Sequence, residues 1–295
     1  MLLAPGFRGQ PLSGPNLWTW IAYALLGWRA VAALREDAGT ELRFAHLAWW
    51  GSLALVASIG LHLAAETAQL GEGWRWGAAG LPWWLLAAAT LLRPDWVRQP
   101  AGRRFDDWRR GQGDFLLLIC VAIALSGLQS AGSAAPWRWV PLFNPLELLQ
   151  ASTLALLAWR LFREGAATPS SSEVSLLAAA ALAFVTMAVL RCTHHWGDVA
   201  WDATMFGNGL VQTALSVTWS VFGVIGWIVG SRRGLRGVWL GGALLMAVVL
   251  AKLVLVDRDH LGNLLGIASF LAYGLLCTAV GYFAPVPPQR QVAAA

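Results

Sequence analysis

Residues 191–209, RCTHHWGDVAWDATMFGNG, place an arginine, two adjacent histidines and two aspartates within twelve positions. Imidazole titrates nearest neutrality of all side chains. A carboxylate one helical turn away can orient the ring and raise its basicity, and such pairs suit general acid and base work. If a helix continues through the segment from the apolar run before it, Arg191, His194, His195, Asp198 and Asp202 share one stripe about 100° wide. Gly197 works against that continuation. Three readings stay open: a general base at His194 or His195, a metal shell completed by His260, or an interfacial turn whose histidines face water and headgroups. The spacing matches no zinc or manganese motif, so no metal is expected. No GxSxG, HExxH or phosphate-cradling glycine loop occurs, and no cofactor is expected.

Other polar groups fall near helix ends. Asn144, Pro145 and Glu147 read as N-cap, N1 and N3 of a helix, close to a capping box, and interaction with the helix N-terminus accounts for Glu147 without catalysis. Lys252 lies inside an apolar run about a turn from its end, ahead of Asp257, Arg258 and Asp259. A lysine deep in a membrane costs about 2.5–3.5 kcal/mol on insertion scales. Snorkelling or pairing with an aspartate offsets that cost, so an anchoring and a functional reading of Lys252 are both admissible.

A repeat supplies a further set. The stretch from Trp74, WRWGAAGLPWWLLAAATLL, matches WRWVPLFNPLELLQASTLA from Trp137, with nine of nineteen residues identical. Indoles favour the headgroup interface and a guanidinium stacks on them. Trp74, Arg75, Trp76, Trp137, Arg138 and Trp139 are therefore expected to anchor the chain at one membrane surface, with Pro82 and Pro145 each opening a helix at its first turn. A clamp for a phosphate or sugar headgroup is the functional alternative. An offset of two spans makes this a parallel repeat rather than an inverted one.

The elements that must position these groups are apolar. Hydrophobic residues make up 57% of the 295 and charged residues 13%, against about 25% charged in soluble domains. About 20 apolar residues cross a bilayer as a helix. Nine such segments are predicted: 15–34, 45–65, 77–92, 114–131, 145–163, 174–190, 209–230, 238–256 and 264–283. The fold expected is an all-α polytopic transmembrane bundle forming a single integral membrane domain, with 93–113 as its longest, mostly polar loop. In the seventh segment Gln212, Ser216, Trp219, Gly223 and Gly226 share a face suited to helix packing. His46 and His62 read as satisfied or snorkelling side chains.

Charge sets the expected orientation. Alternate connections and the C-terminal tail hold fourteen arginines and the others five, which places the rich set in the cytoplasm, the N-terminus outside and the C-terminus inside. Arg29 and Lys252 lie within spans. The net charge of +5 is thus a matter of topology, and nucleic acid is not an expected partner. Cys120, Cys192 and Cys277 show no disulfide or CxxC spacing and read as small buried apolar residues.

The motifs FNPLELLQ, RCTHHWGDVAWD, LVQTALSVTWSVFG, LRGVWLGGALLMAVVLAKLVLVD and IASFLAYGLLCTAVGYFAPVPP, in that order, resemble the C-terminal part of a bacterial family of predicted multi-pass membrane proteins, domain of unknown function 2339. The resemblance is strongest from about residue 137 onward. It implies a polytopic protein of the bacterial inner membrane and no particular reaction, ligand or cofactor. Relatives of this kind are longer, so the chain is expected to be a fragment or a shortened member. Where they carry an arginine before I-x-S-F, this chain has Gly266. The function expected is a transport-type or envelope-component-binding protein, more binding protein than enzyme, with a periplasmic site including Arg191, His194, His195, Asp198, Asp202, Asn144, Glu147, Lys252 and Asp257. Its expected partners are the bilayer, a lipid or glycan ligand and other membrane proteins. The alternatives are an envelope-modifying enzyme with a histidine base and a structural subunit of a membrane complex.

Overall fold

A computed structural model describes residues 14–35, 40–163, 169–253 and 263–283. They form helices with no strand among them: α1 (Pro15–Ala33), α2 (Thr40–Thr67), α3 (Glu72–Leu92), the short α4 (Pro94–Val97), α5 (Phe105–Ser126), α6 (Pro145–Arg163), α7 (Ser171–Gly197), α8 (Gly209–Arg232), α9 (Arg236–Lys252) and α10 (Asn263–Phe283). The all-α class follows from the apolar runs, because in hydrocarbon a helix satisfies its own backbone polar groups. Four segments are long and apolar enough to cross a membrane: Thr40–Thr67, Gly102–Gln129, Ser172–Gly197 and Gly209–Arg232. Nine full crossings are therefore more than the described helices reach by length and composition.

The chain divides into two compact units, Met1–Gly165 and Ala166–Ala295. In the first, α3 lies against α2, α5 and α6. Its core gathers Leu42, Trp49, Leu86, Ala87, Val97, Phe105 and Leu116. The stretch expected to be a polar loop at 93–113 is mostly helical, since α4, a 3-10 turn at Gly102–Arg104 and the start of α5 occupy it. Val97, Ala101 and Phe105 are buried there, and each is an apolar residue that a solvated loop would have left in water. Fully buried His46 ties this layer down: its Nε2 donates to the Val97 carbonyl at 2.9 Å, and its Nδ1 lies 3.3 Å from the Gln112 amide. His62 lies 3.3 Å from the Arg75 carbonyl. Both histidines are satisfied, as expected.

The two stretches alike in sequence lie on helices that touch. Helices α3 and α6 pack side by side, with Pro145 against Gly77 and Leu149 against Gly80. Buried Thr90 and Thr153, matched in the repeat, each donate to the carbonyl four residues back, Leu86 and Leu149, at 2.7 Å. The two copies nevertheless start differently. Pro145 opens α6 as expected, but α3 begins ten residues ahead of Pro82, which lies within the helix. Backbone bonds from Gly71 and Gly73 to the carbonyls of Ala135 and Ser133 (2.8 and 2.9 Å) provide an earlier start for α3. Close to Pro82, which lacks an N–H, the Ser58 hydroxyl of α2 donates to the Ala79 carbonyl at 2.5 Å.

In the second unit α8 is central and packs on α7, α9 and α10. The small-residue face of α8 does what its composition requires. A Cβ on Gly242 of α9 would lie 2.4 Å from the Trp227 nitrogen and 2.6 Å from the Gly223 carbonyl, so the two backbones are in contact. Trp219 turns to α7 and donates to the Thr186 hydroxyl at 2.9 Å. Of the cysteines Cys120 is buried, Cys192 half-buried and Cys277 exposed. The last departs from expectation because α10 turns that position away from its neighbours.

Candidate polar site at one end of the second unit

The end of the second unit where α7 stops, α8 begins and α9 stops carries the RCTHHWGDVAWD motif. Here α7 does not continue through the motif. It ends at Gly197, and Asp198 takes the left-handed conformation (φ 50°) as its C-cap, a position that aspartate tolerates better than most residues. The single stripe expected of Arg191, His194, His195, Asp198 and Asp202 is thereby broken. Arg191 is fully buried and carries polar interactions of its own. His194 and His195 are half-buried with ring centroids 4.6 Å apart, while Asp198 and Asp202 are exposed.

Asp202 has a local task. It caps the 3-10 turn Ala203–Gly207, accepting from the Thr204 amide at 2.7 Å and from the Thr204 hydroxyl at short range. Those two bonds, the hydroxyl's first, hold its carboxyl below the usual carboxylate range.

Two separate sets of hydrogen bonds tie this end together instead of a stripe. The Nδ1 of His194 donates to the Val199 carbonyl at 2.7 Å. Farther along the same connection, the Phe206 carbonyl accepts from Gln212 Nε2 on the first turn of α8. The Gln212 carbonyl in turn accepts from Lys252 Nζ at 3.1 Å, and Lys252 also donates to the Ser216 hydroxyl at 2.7 Å. Lysine 252 is thus held by α8, which helps to offset its burial cost. Asp257 and His260 lie outside the described residues. Gln212 is only 5% exposed, and its Oε1 has no donor among the described residues. A buried acceptor left open is costly.

With its Nδ1–H committed to Val199, His194 keeps the lone pair on Nε2. Among the described residues no group of three histidine, cysteine, aspartate or glutamate side chains could hold a metal ion.

Asn144, Glu147 and the tryptophan pairs belong to the first unit. Asn144 caps α6, its Oδ1 accepting from the Glu147 amide at 3.0 Å. The fully buried Glu147 carboxylate accepts from the Leu142 amide at 2.6 Å, pinning a turn in which Leu142 has φ 65°. The rings of Trp74 and Trp137 are in contact, tilted 49° with centroids 4.9 Å apart, and the indole N–H of Trp74 donates to the Ala134 carbonyl at 3.1 Å. Arg75 donates to the Leu70 carbonyl at 3.1 Å in the turn after α2, while Arg138 is exposed. Trp76 is half-buried and Trp139 buried. The six residues therefore do not form two equivalent clamps.

Three features escaped the sequence reading: the Ser58 bond close to Pro82, the His46–Val97 bond, and Ser130 donating to Glu72 at 2.7 Å. The first lies near a local signal, a proline inside an apolar run. The other two join segments more than fifty residues apart and leave no local signal.

A family model described as "Predicted membrane protein (DUF2339)" matches residues 2–287. The similarity therefore extends well upstream of residue 137. Neither the curated proteins nor the solved structures contain a match.

Proposed function

Since the chain belongs to this family of predicted membrane proteins, we propose that it is an inner-membrane binding or transport-type protein for an anionic or glycan-like component of the cell envelope. The ligand sits at the polar end of the second unit, which faces the periplasm, while the C-terminus is cytoplasmic. The observation that carries this reading is the set of hydrogen bonds from Gln212 to Phe206 and from Lys252 to Gln212 and Ser216, together with that of His194 to Val199 in the same connection. It brings a cation, hydroxyl and amide groups and an open acceptor on Gln212 into one layer of a helical bundle, where polar groups are costly unless they serve a ligand or path.

Mass spectrometry of lipids and glycans that copurify with the protein tests the reading. A distinct component is expected with the native chain and should fall away in Lys252→Met and in Gln212→Leu, with helicity unchanged. The same profile in all three proteins would refute a site in this layer.

A second reading has its own observation. The tautomer fixed on His194 by Val199 leaves Nε2 as a base, as an envelope-modifying enzyme would require. In that case His194→Ala abolishes complementation of an envelope defect while ligand retention persists. If the protein only binds, the two are lost together.

A further inference from the structure

We propose that the first unit holds one anionic phospholipid, with an acyl chain in the cavity between α2 and α3 and its phosphate against Arg93. The cavity has a volume of about 610 Å³, and its walls include Trp50 and Leu53 of α2, Pro82 and Leu85 of α3, and Arg93 and Trp96 just beyond. That volume is in the range of small-molecule sites, and apart from Arg93 and the indole nitrogens the named walls offer no polar side chain. A polar ligand could not satisfy its hydrogen bonds there, whereas a hydrocarbon chain needs none.

Length selects the occupant. From Pro82 to Arg93 the helix rises about 16 Å, close to half of a 30 Å hydrocarbon core. The cavity thus runs from mid-membrane depth to one surface, the reach of one leaflet's acyl chain.

Charge selects the headgroup. At this end of the unit several arginines are already engaged: Arg98 with Asp95 and Asp106, Arg160 with Asp114, Arg109 with the Thr90 and Leu91 carbonyls, and Arg35 with Pro100 and Gln99. Arg93 is exposed at the cavity mouth and has no ion pair among the described residues. Beside it Trp96 is 74% exposed, a residue type that settles at headgroup level. Basic pockets between helices on the cytoplasmic side are a known way of holding anionic headgroups. This assignment does not depend on the polar end of the second unit.

The test is native mass spectrometry of the full chain in detergent with phosphatidylglycerol or phosphatidylcholine of identical acyl chains. The native protein should retain phosphatidylglycerol about fivefold better, the effect of one basic residue at an anionic headgroup. Arg93→Gln should abolish that preference, and Arg103→Gln, which alters an exposed arginine at the same end away from the cavity, should keep it. Equal losses in the two variants, or no preference in the native protein, would overturn the proposal. Ala89→Trp, which fills the cavity, should reduce retention of both lipids. If that variant does not fold, as judged by its helical circular dichroism, the arginine pair still decides.

Discussion

Trp74 and Trp137, the leading residues of the two repeat copies, meet with their rings tilted 49° and their centroids 4.9 Å apart. Each therefore serves as the other's partner, and an aromatic and arginine motif that reads as two independent anchors becomes one joint between α3 and the turn before α6. Trp74 also donates to Ala134, whereas Trp137 is 60% exposed. Trp74→Ala is expected to destabilise the unit more than Trp137→Ala, since it removes a side-chain hydrogen bond as well as the ring contact. A double-mutant cycle by denaturation in micelles should return a coupling of about 0.5–1.5 kcal/mol. A coupling of zero would mean that the rings merely share the interface.

Neighbouring glycines in α9 allow a sharp comparison. Gly242 sits against the α8 backbone, while a Cβ on Gly241 would meet nothing within 4 Å. Gly242→Ala should therefore force α8 and α9 apart and cost about 1–3 kcal/mol as overpacking. Gly241→Ala should be neutral or slightly stabilising, since alanine is the better helix former. Thermal unfolding of the two variants side by side checks this, and equal midpoints would contradict the close α8–α9 contact.

Much of this was legible from composition and period. The bounds of α6 and α8 follow from Pro145 and from Asn208, both placed where a helix must begin, and the small face of α8 announced its packing. The start of α3 was not legible, because it depends on the carbonyls of Ser133 and Ala135, far along the chain, accepting from the Gly73 and Gly71 amides. The same holds for the site. Its residue types stood out around His194, but the stripe required a helix that Asp198 terminates, and the link that replaces it runs through Gln212 and Lys252 on other helices. Periodicity sees neighbours on one helix, and a network between helices has no period.

Asp202 gives the connection between α7 and α8 a pH dependence of known sign. Its carboxyl is held below the ordinary range by the Thr204 hydroxyl and then the Thr204 amide. A depressed folded value means that the cap's contribution is fully present above the unfolded value of about 3.9 and is lost as pH falls through the lower folded value. The Thr204 amide resonance should hold its position from neutrality to about pH 4 and move only under more acid conditions. Asp202→Asn, which keeps a capping oxygen, should remove that movement while leaving the turn in place. Movement that begins well above the ordinary carboxylate range would assign the proton elsewhere.

Ser58 of α2 and Pro82 of α3 act on neighbouring carbonyls. The pyrrolidine ring offers no N–H to the Ala78 carbonyl four residues back, while the next carbonyl, Ala79, accepts from the Ser58 hydroxyl at 2.5 Å. Ser58 is buried, so Ser58→Ala removes an interhelical hydrogen bond in an apolar setting and should cost about 0.5–1.5 kcal/mol. Pro82→Ala returns a donor to Ala78, and the Ser58→Ala change should then cost nearly as much as before, because its bond goes to a different carbonyl. A cycle of the two substitutions, followed by unfolding in micelles, measures this directly. A coupling well above about 0.5 kcal/mol would show that the hydroxyl compensates the missing proline donor after all.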